Sequence, residues 1–498
     1  MKRENYRNTL TVAYLATGLS QSFELAFNYL FFILLSVDQI GLYSWVMALV
    51  MFFNVAVDMG IGPVLVRKFG QGELRLLRAF QAILLLRVPI IGLGIVLTTI
   101  LFKYGILTSN QYFVTVLVGA QVLFNVSDGV FKSWLQANDR QNTVNIINVL
   151  LSGLKLGFIG ILFSTSWNSL YLLLVGILVF RMLGSAIFCY LACTLALHNQ
   201  SPSPADAAIG QIACSFLRAG LSIGGVNFLT IIQNRLDWLL VSGMISTVAL
   251  ASYALANKLY EILQLIIGVS LQTIYPWLCR DPEDERVSLL ILVRVVILAG
   301  ALLGLCGIFI SPALIKLMFG NKFPGVELPV MILMLSASII AASGVFYYLA
   351  LSKSIESKLL LITLITTMLQ FASNLYLIPK LGITGAALGM LVLAITTLGG
   401  LTIVVRVGNF VPQVVTRRIL IFLSSSILYI PLLLYFKVTA WFVVPVLLIA
   451  IAGTGWLALF DNIERKHIRT IVYGMAKNFI METSINSPKP ISDEGDRA

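Results

Sequence analysis

The sequence predicts an all-α polytopic membrane protein of about fourteen transmembrane helices: two pseudo-symmetric six-helix lobes plus two peripheral C-terminal helices. Three observations carry that prediction. The 498 residues are 58% hydrophobic and only 11% charged, with a mean hydropathy of +0.93, more apolar than any soluble domain of this size needs to be. Apolar stretches long enough to cross roughly 30 Å of hydrocarbon recur along the whole chain. Lys and Arg concentrate in alternate connecting loops.

The first six spans fall at 9–35, 41–66, 76–102, 107–134, 142–163 and 168–197. The next six fall at 211–243, 250–276, 287–310, 326–352, 357–379 and 383–405, and the last two at 418–436 and 440–460. The segment Met1-Lys-Arg-Glu-Asn-Tyr-Arg-Asn precedes the first span without a small-residue cleavage site, so that span is expected to be retained. Loops on its side hold Arg67, Lys68, Arg75, Arg78, Arg140, Arg280, Arg286, Lys353, Lys358, Arg406, Arg417 and Arg418. The opposite loops hold only Lys103, Lys316, Lys322, Lys380 and Lys437. This asymmetry places both termini in the cytoplasm and accounts for the net charge of +12 without any nucleic-acid partner.

An internal repeat supports the count. Ser127-Asp-Gly-Val-Phe131 recurs as Ala342-Ser-Gly-Val-Phe346, an offset of 215 positions, each near the end of a span and followed by a polar turn. The offset relates spans 1–6 to spans 7–12, and an even number per repeat implies parallel topology about an axis along the membrane normal. The divisions are an N-lobe at 1–200, a C-lobe at 201–410, accessory helices at 411–460 and a tail at 461–498. The accessory spans carry no charge over Ile419–Phe436 and Thr439–Phe460, so nothing in them demands a polar neighbour. The tail opens on a basic amphipathic stretch suited to a membrane surface and ends in a Ser/Pro-rich segment expected to be disordered.

Charges inside the spans are the strongest functional signal. The bases are Arg87, Lys132, Lys155, Arg181, Arg218, Arg235, Lys258 and Arg294; the acids are Glu24, Asp58, Asp128, Asp237 and Glu261. A charge facing lipid at mid-span costs on the order of 3 kcal/mol, so these thirteen together would cost roughly 40 kcal/mol. They must face helices or water. Their neighbours agree, because polar residues recur at helical spacing beside them. The stripes are Tyr14, Thr17, Gln21, Glu24 and Asn28 on span 1; Asn54 and Asp58 on span 2; Gln121, Asn125, Asp128 and Lys132 on span 4; and Asn145, Asn148, Ser152 and Lys155 on span 5. Span 7 adds Gly220, Gly224, Asn227, Ile231 and Asn234, span 8 Asn257, Glu261 and Gln264, and span 11 Thr363, Thr367, Gln370 and Asn374. Facing stripes of this kind predict a hydrated cavity, lined in part by the span at 211–243, which Gly224-Gly225 allows to bend.

Local pairing competes with function at some sites. Asp128 and Lys132 stand four apart in the favourable order, and Lys258 and Glu261 three apart. Arg218, Arg235 and Asp237 lie towards the ends of a span long enough to let them snorkel to the membrane surfaces. Glu24, Arg87, Lys155 and Arg181 sit nearest mid-span, where snorkelling is least available. The excess of bases over acids suggests an anionic substrate, and Arg suits phosphate because its planar fork donates two hydrogen bonds at once. Arg87, Lys155, Arg181, Arg218, Asn227, Asn234, Arg235, Lys258 and Arg294 are therefore the candidate substrate-binding residues. Glu24, Asp58, Asp128, Asp237 and Glu261 are candidates to bind or release a driving H⁺ or Na⁺.

Five cysteines without a C-x-x-C pair indicate neither disulfides nor zinc. The two histidines, His198 and His467, lie outside the spans, and no G-x-x-x-x-G-K-[ST], G-x-S-x-G or H-E-x-x-H occurs. The chain does not read as an enzyme, and no bound cofactor is expected.

Gly41-x-Tyr43 followed by Asp58-x-Gly60 and Arg67 resembles the opening of bacterial polysaccharide flippases. Asn234-Arg-Leu-Asp237-Trp-Leu-Leu-Val-Ser242 with Tyr253 and Lys258, and Pro379-Lys-Leu-Gly-Ile-Thr-Gly-Ala-Ala387, are similar to their later helices. The family is the Wzx-type O-antigen and capsule branch of the multidrug/oligosaccharidyl-lipid/polysaccharide exporter superfamily. The resemblance implies two lobes around a central cationic cavity, moving an undecaprenyl-pyrophosphate-linked oligosaccharide outward across the bacterial inner membrane by alternating access. It also implies membrane lipids as surroundings and polysaccharide polymerase machinery as a candidate partner. A multidrug/cation antiporter or lipid II flippase of the same superfamily is the alternative within transport, and a membrane-embedded glycan enzyme the alternative outside it.

Overall fold

The structure, a computed structural model, describes residues 3–58, 61–70, 75–138, 140–165, 167, 169–198, 209–280, 286–352 and 356–407. These fold into thirteen helices, and among the described residues there is no strand. The first span is α1 (Arg3–Leu34), and the second is carried by α2 (Val37–Asp58) and α3 (Ile61–Gly70). The next four are α4 (Leu76–Lys103), α5 (Ser109–Ala137), α6 (Gln141–Ser164) and α7 (Leu170–His198). The second half consists of α8 (Ile209–Met244), α9 (Thr247–Arg280), α10 (Arg286–Phe319), α11 (Glu327–Ser352), α12 (Glu356–Leu381) and α13 (Ile383–Val407). All twelve spans predicted before residue 408 thus appear as helices. The accessory spans at 418–436 and 440–460 and the tail lie outside the described residues.

Nine of the described helices are long and apolar enough to cross a membrane. Lipid explains this architecture, since a helix satisfies every backbone N–H and C=O internally where no water can. Local chemistry sets the ends. Thr108 and Gln111 form a reciprocal capping box at the start of α5, occupying two otherwise orphaned donors. Gly382, at φ 64°, makes the tight turn from α12 into α13.

The second half repeats the packing of the first. In the first half α1 lies on α6, while α5 lies on α2, α3, α4 and α7, and α6 touches α7. Correspondingly, α8 lies on α12, while α11 lies on α9, α10 and α13, and α12 packs on α13. The repeated sequence motif falls on the central helix of each half. Val130 and Phe131 of α5, like Val345 and Phe346 of α11, are buried in the core. Small residues allow the closest approaches. Gly300, Gly304 and Gly307 of α10 face Ala341, Ser338 and Met334 of α11, and a side chain at Gly304 would overlap Ser338 and the Met334 carbonyl. With no hydrophobic force between helices in lipid, such close packing holds them together.

The halves meet chiefly through α2, which packs against both α8 and α9. Helix α8 also touches α3 and α4, so it belongs to the interior of both halves. It runs unbroken from Ile209 to Met244, through Gly224-Gly225.

Candidate functional site

Among the described residues, two cavities gather many of the polar side chains. The first, of about 280 Å³, lies wholly within the first half, between α1, α5, α6 and α7. Gln21 and Glu24 enter it from α1, Asp128 and Lys132 from α5, Asn145, Asn148, Ser152 and Lys155 from α6, and Phe180 and Arg181 from α7. Three of the stripes read from the sequence therefore converge on one space. Helical periodicity makes this possible: residues three or four apart project from one face, and α1, α5 and α6 turn those faces inward.

The charges in this cavity are mostly paired. Lys155 Nζ donates to Glu24 Oε1 at 3.0 Å across 131 residues of chain. Lys132 Nζ reaches Asp128 Oδ2 at 3.4 Å, the local pair expected from the i, i+4 spacing. Ser20 and Ser152 join their hydroxyls at 3.0 Å beside the Glu24–Lys155 pair. Arg181 has no carboxylate within ion-pair distance among the described residues, and its Nε is buried without a hydrogen-bond partner. Three cations against two carboxylates leave the cavity with one spare positive charge, which Arg181 carries.

The second cavity, of about 460 Å³, lies between the halves. It is lined by Met51, Asn54, Val55, Val57 and Asp58 of α2, Arg87 of α4, Asn125 of α5, and Thr230 and Ile231 of α8. The expectation that the 211–243 span lines a cavity thus rests on Thr230 and Ile231; the Asn227 side chain lies outside the described residues. Arg87 is buried and donates through Nη2 to Asp58 Oδ1 at 3.1 Å and to the Asp58 carbonyl at 3.0 Å. It caps the end of α2 and neutralises Asp58 at once, an interaction of the kind that favours Arg over Lys.

The remaining candidates are held elsewhere. Arg235 of α8 donates to Glu261 Oε1 of α9 at 2.7 Å, while Lys258 meets Glu261 Oε2 at 2.8 Å, so two bases share one acid. Arg235 also stacks over Trp238, 4.3 Å from the ring centroid, and approaches Met51 Sδ of α2 at 3.0 Å. Asn234 folds back on its own helix, donating to the Thr230 carbonyl at 2.8 Å. Arg218 is exposed near the start of α8, and Arg294 is buried on α10, away from both cavities.

Two expectations need correction. Asp237 does not reach a membrane surface. It is fully buried, accepting the Tyr253 hydroxyl of α9 on Oδ2 and the Trp238 amide on Oδ1, because packing on α9 shields that face of α8. Nor does the span-11 stripe face a hydrated space. Gln233 Nε2 of α8 donates to Thr367 Oγ1 at 3.0 Å, Thr366 Oγ1 at 3.2 Å and the Thr363 carbonyl at 3.3 Å. Gln370 returns a bond to the Gln233 carbonyl at 2.8 Å, and Thr366, Thr367, Gln370 and Asn374 are all buried. Gln233, Gln370 and the threonines bond one another there and act as interhelical glue, while the buried Asn374 amide has no hydrogen-bond partner among the described residues. Gln233, Tyr253 and Lys322 are the consequential residues that sequence reasoning passed over. Gln233 stands beside Asn234 and Arg235 but on another face of α8, outside the stripe read there, Tyr253 served only as a repeat marker, and Lys322 counted only as a loop charge.

Repeat-related helix halves, polar cavities among helices of spanning length and ion pairs between those helices define a multi-pass membrane protein. Solved structures with this fold include the lipid II flippase MurJ in an inward closed conformation, at TM-score 0.67 and 13% identity, over 92% of this chain and 100% of that one. An inward-facing multidrug resistance MATE family transporter of the MOP superfamily matches at TM-score 0.61 and 13% identity, over 80% of this chain and 98% of that one. A MOP superfamily transporter from Pyrococcus furiosus matches at TM-score 0.52 and 14% identity, over 81% and 96%. At these identities the likeness is one of fold. No curated protein sequence matches. The family model of polysaccharide biosynthesis proteins matches residues 7–281, and the chain belongs to that family.

Proposed function

We propose that the protein is a flippase that carries a lipid-linked oligosaccharide, on an undecaprenyl-pyrophosphate carrier, from the cytoplasmic to the outer leaflet of the bacterial inner membrane. The observation that carries this reading is the first-half cavity, where Arg181 alone lacks a carboxylate among three cations and two acids. An unpaired guanidinium in a partly dehydrated polar space favours a phosphate oxygen or another anionic group. Gln21, Asn145 and Asn148 supply the neutral donors and acceptors that sugar hydroxyls need, and Phe180 an apolar face. Membership of a polysaccharide biosynthesis family supplies the glycan.

Residues 1–200 and 201–410 serve as the two lobes in this reading, with 411–460 accessory, and both termini stay cytoplasmic. The lobes rock about α2 and its contacts with α8 and α9, alternately exposing the cavities. Arg181 meets the headgroup in the first-half cavity, and Arg235 and Lys258, which share a single acid outside it, are a second cationic group along the path. Arg87 and Lys155 act through the pairs they make, as positioning groups. Asp237, buried and without an ion pair among the described residues, is the acid assigned to a driving H⁺ or Na⁺, which reaches it when α8 and α9 part. The product is delivered to O-antigen, capsule or exopolysaccharide polymerases.

Reconstitution into liposomes with a polyprenyl-pyrophosphate glycan, read by lectin access to the outer leaflet, tests the reading. Arg181→Ala should slow flipping at least tenfold, the equivalent of about 1.4 kcal/mol; wild-type rates from that variant would sink the cationic-cavity mechanism. Mass spectrometry of co-purifying lipids separates the cargo classes, since lipid II in place of a longer glycan would shift the assignment to peptidoglycan precursors.

A further inference from the structure

Lys322 sits in the turn between α10 and α11, at the end of the bundle where α1 finishes and α2 begins. Its ammonium donates to three carbonyls at the C-terminus of α1: Phe32 at 2.7 Å, Ile33 at 2.9 Å and Leu35 at 2.6 Å. Those are among the orphan acceptors that any helix leaves at its last turn, where the helix dipole also concentrates negative charge. The lysine belongs to the second half and the carbonyls to the first, almost three hundred residues away.

The turn is built to hold that lysine. Gly320 and Gly325 both adopt left-handed backbone, at φ 58° and 74°, and reverse the chain on either side of it. Phe323, buried next to Lys322, packs edge-on against Phe32 of α1 with centroids 5.9 Å apart, and Phe319 meets the same ring at 6.2 Å. Beside this contact Gly41 of α2 lies so close to the Thr247 carbonyl at the start of α9 that no side chain would fit. At this end, then, the halves touch through a capped helix terminus, an aromatic seam and a backbone-to-backbone approach.

We infer that Lys322 is a latch that closes this end of the transport path: it pins the α10–α11 turn to the end of α1 in the state seen here and must release when that end opens. The inference rests on the alternating-access reading above, which places this end at the outer surface. The chemistry suits a reversible contact. Partial burial lowers the Lys322 pKa from its usual value with no carboxylate to offset it, so the ammonium regains hydration on release. Three carbonyl bonds hold it meanwhile, each made in exchange for a bond to water, so their net worth is well below their gross strength. Together they bias a two-state equilibrium toward the closed end.

Amide hydrogen exchange of the full chain in nanodiscs tests this without substrate, so its outcome is separate from whether the cargo is assigned correctly. Lys322→Gln should raise exchange severalfold in two segments only, residues 30–40 and 319–327, while Lys322→Arg, which still donates to carbonyls, should keep both near wild type. Unchanged exchange in Lys322→Gln would overturn the latch. Exchange raised equally throughout α10 and α11 would make Lys322 a general stabiliser and overturn it too. In the flipping assay a released latch should alter the rate in Lys322→Gln and leave Lys322→Arg close to normal.

Discussion

The same pair of helices occurs twice in this protein with opposite interiors. In the first half α1 packs on α6 and joins Glu24 to Lys155 and Ser20 to Ser152 at the edge of an open cavity of about 280 Å³. In the second half their counterparts, α8 and α12, join Gln233 to Thr363, Thr366, Thr367 and Gln370 in a closed, buried network. Polar stripes at the same helical spacing thus give a cavity in one case and a seal in the other. Charge makes the difference. An ammonium and a carboxylate satisfied only by each other keep a large desolvation penalty, so the site retains room for water. Amides and hydroxyls carry both donors and acceptors and close around one another at ordinary packing density.

The comparison can be broken or sharpened experimentally. The largest effect should follow from putting a charge into the closed network: Thr367→Lys, at a buried position, should destabilise the protein by at least about 3 kcal/mol, seen as loss of a folded peak or a large fall in Tm. Tolerance of that lysine would mean the second interior is already wet. Arg181→Ala comes next, as a transport loss of tenfold or more with little change in Tm. Gln233→Leu should do the reverse, lowering Tm through the loss of three donated bonds, about 1–2 kcal/mol together, while leaving flipping per folded molecule near wild type. The smallest effect belongs to Glu24 and Lys155. Because the Glu24 side chain is 37% exposed, a Glu24→Gln/Lys155→Met double-mutant cycle in thermal stability should give a coupling of about 1 kcal/mol or less.

Much of this was legible in the residues, and the failures have a common cause. Asp128–Lys132 and Lys258–Glu261 are visible because one helix fixes the geometry of residues three or four apart. Stripes on spans 1, 4 and 5 are visible for the same reason, and they do share a cavity. Nothing local reveals that Arg87 caps the end of α2 from 29 positions away, or that Lys322 caps α1. Nor does any local pattern distinguish the open stripe of α6 from the closed one of α12, since both read as polar residues every three to four positions.

The sequence by itself therefore determined what lipid and backbone geometry dictate: helices of spanning length, the repeat, and which faces cannot meet hydrocarbon. The helices and their faces follow from composition and from a period of 3.6 residues, and the repeat from a motif that recurs 215 positions on. Only the tertiary structure decided which faces meet each other, and with that which charges are neutralised. Arg87 is matched by Asp58 and Lys155 by Glu24, while Arg181 is left unmatched among the described residues. Ion pairing and desolvation fall off over a few ångströms, and such distances are set by helix packing across more than a hundred residues of chain.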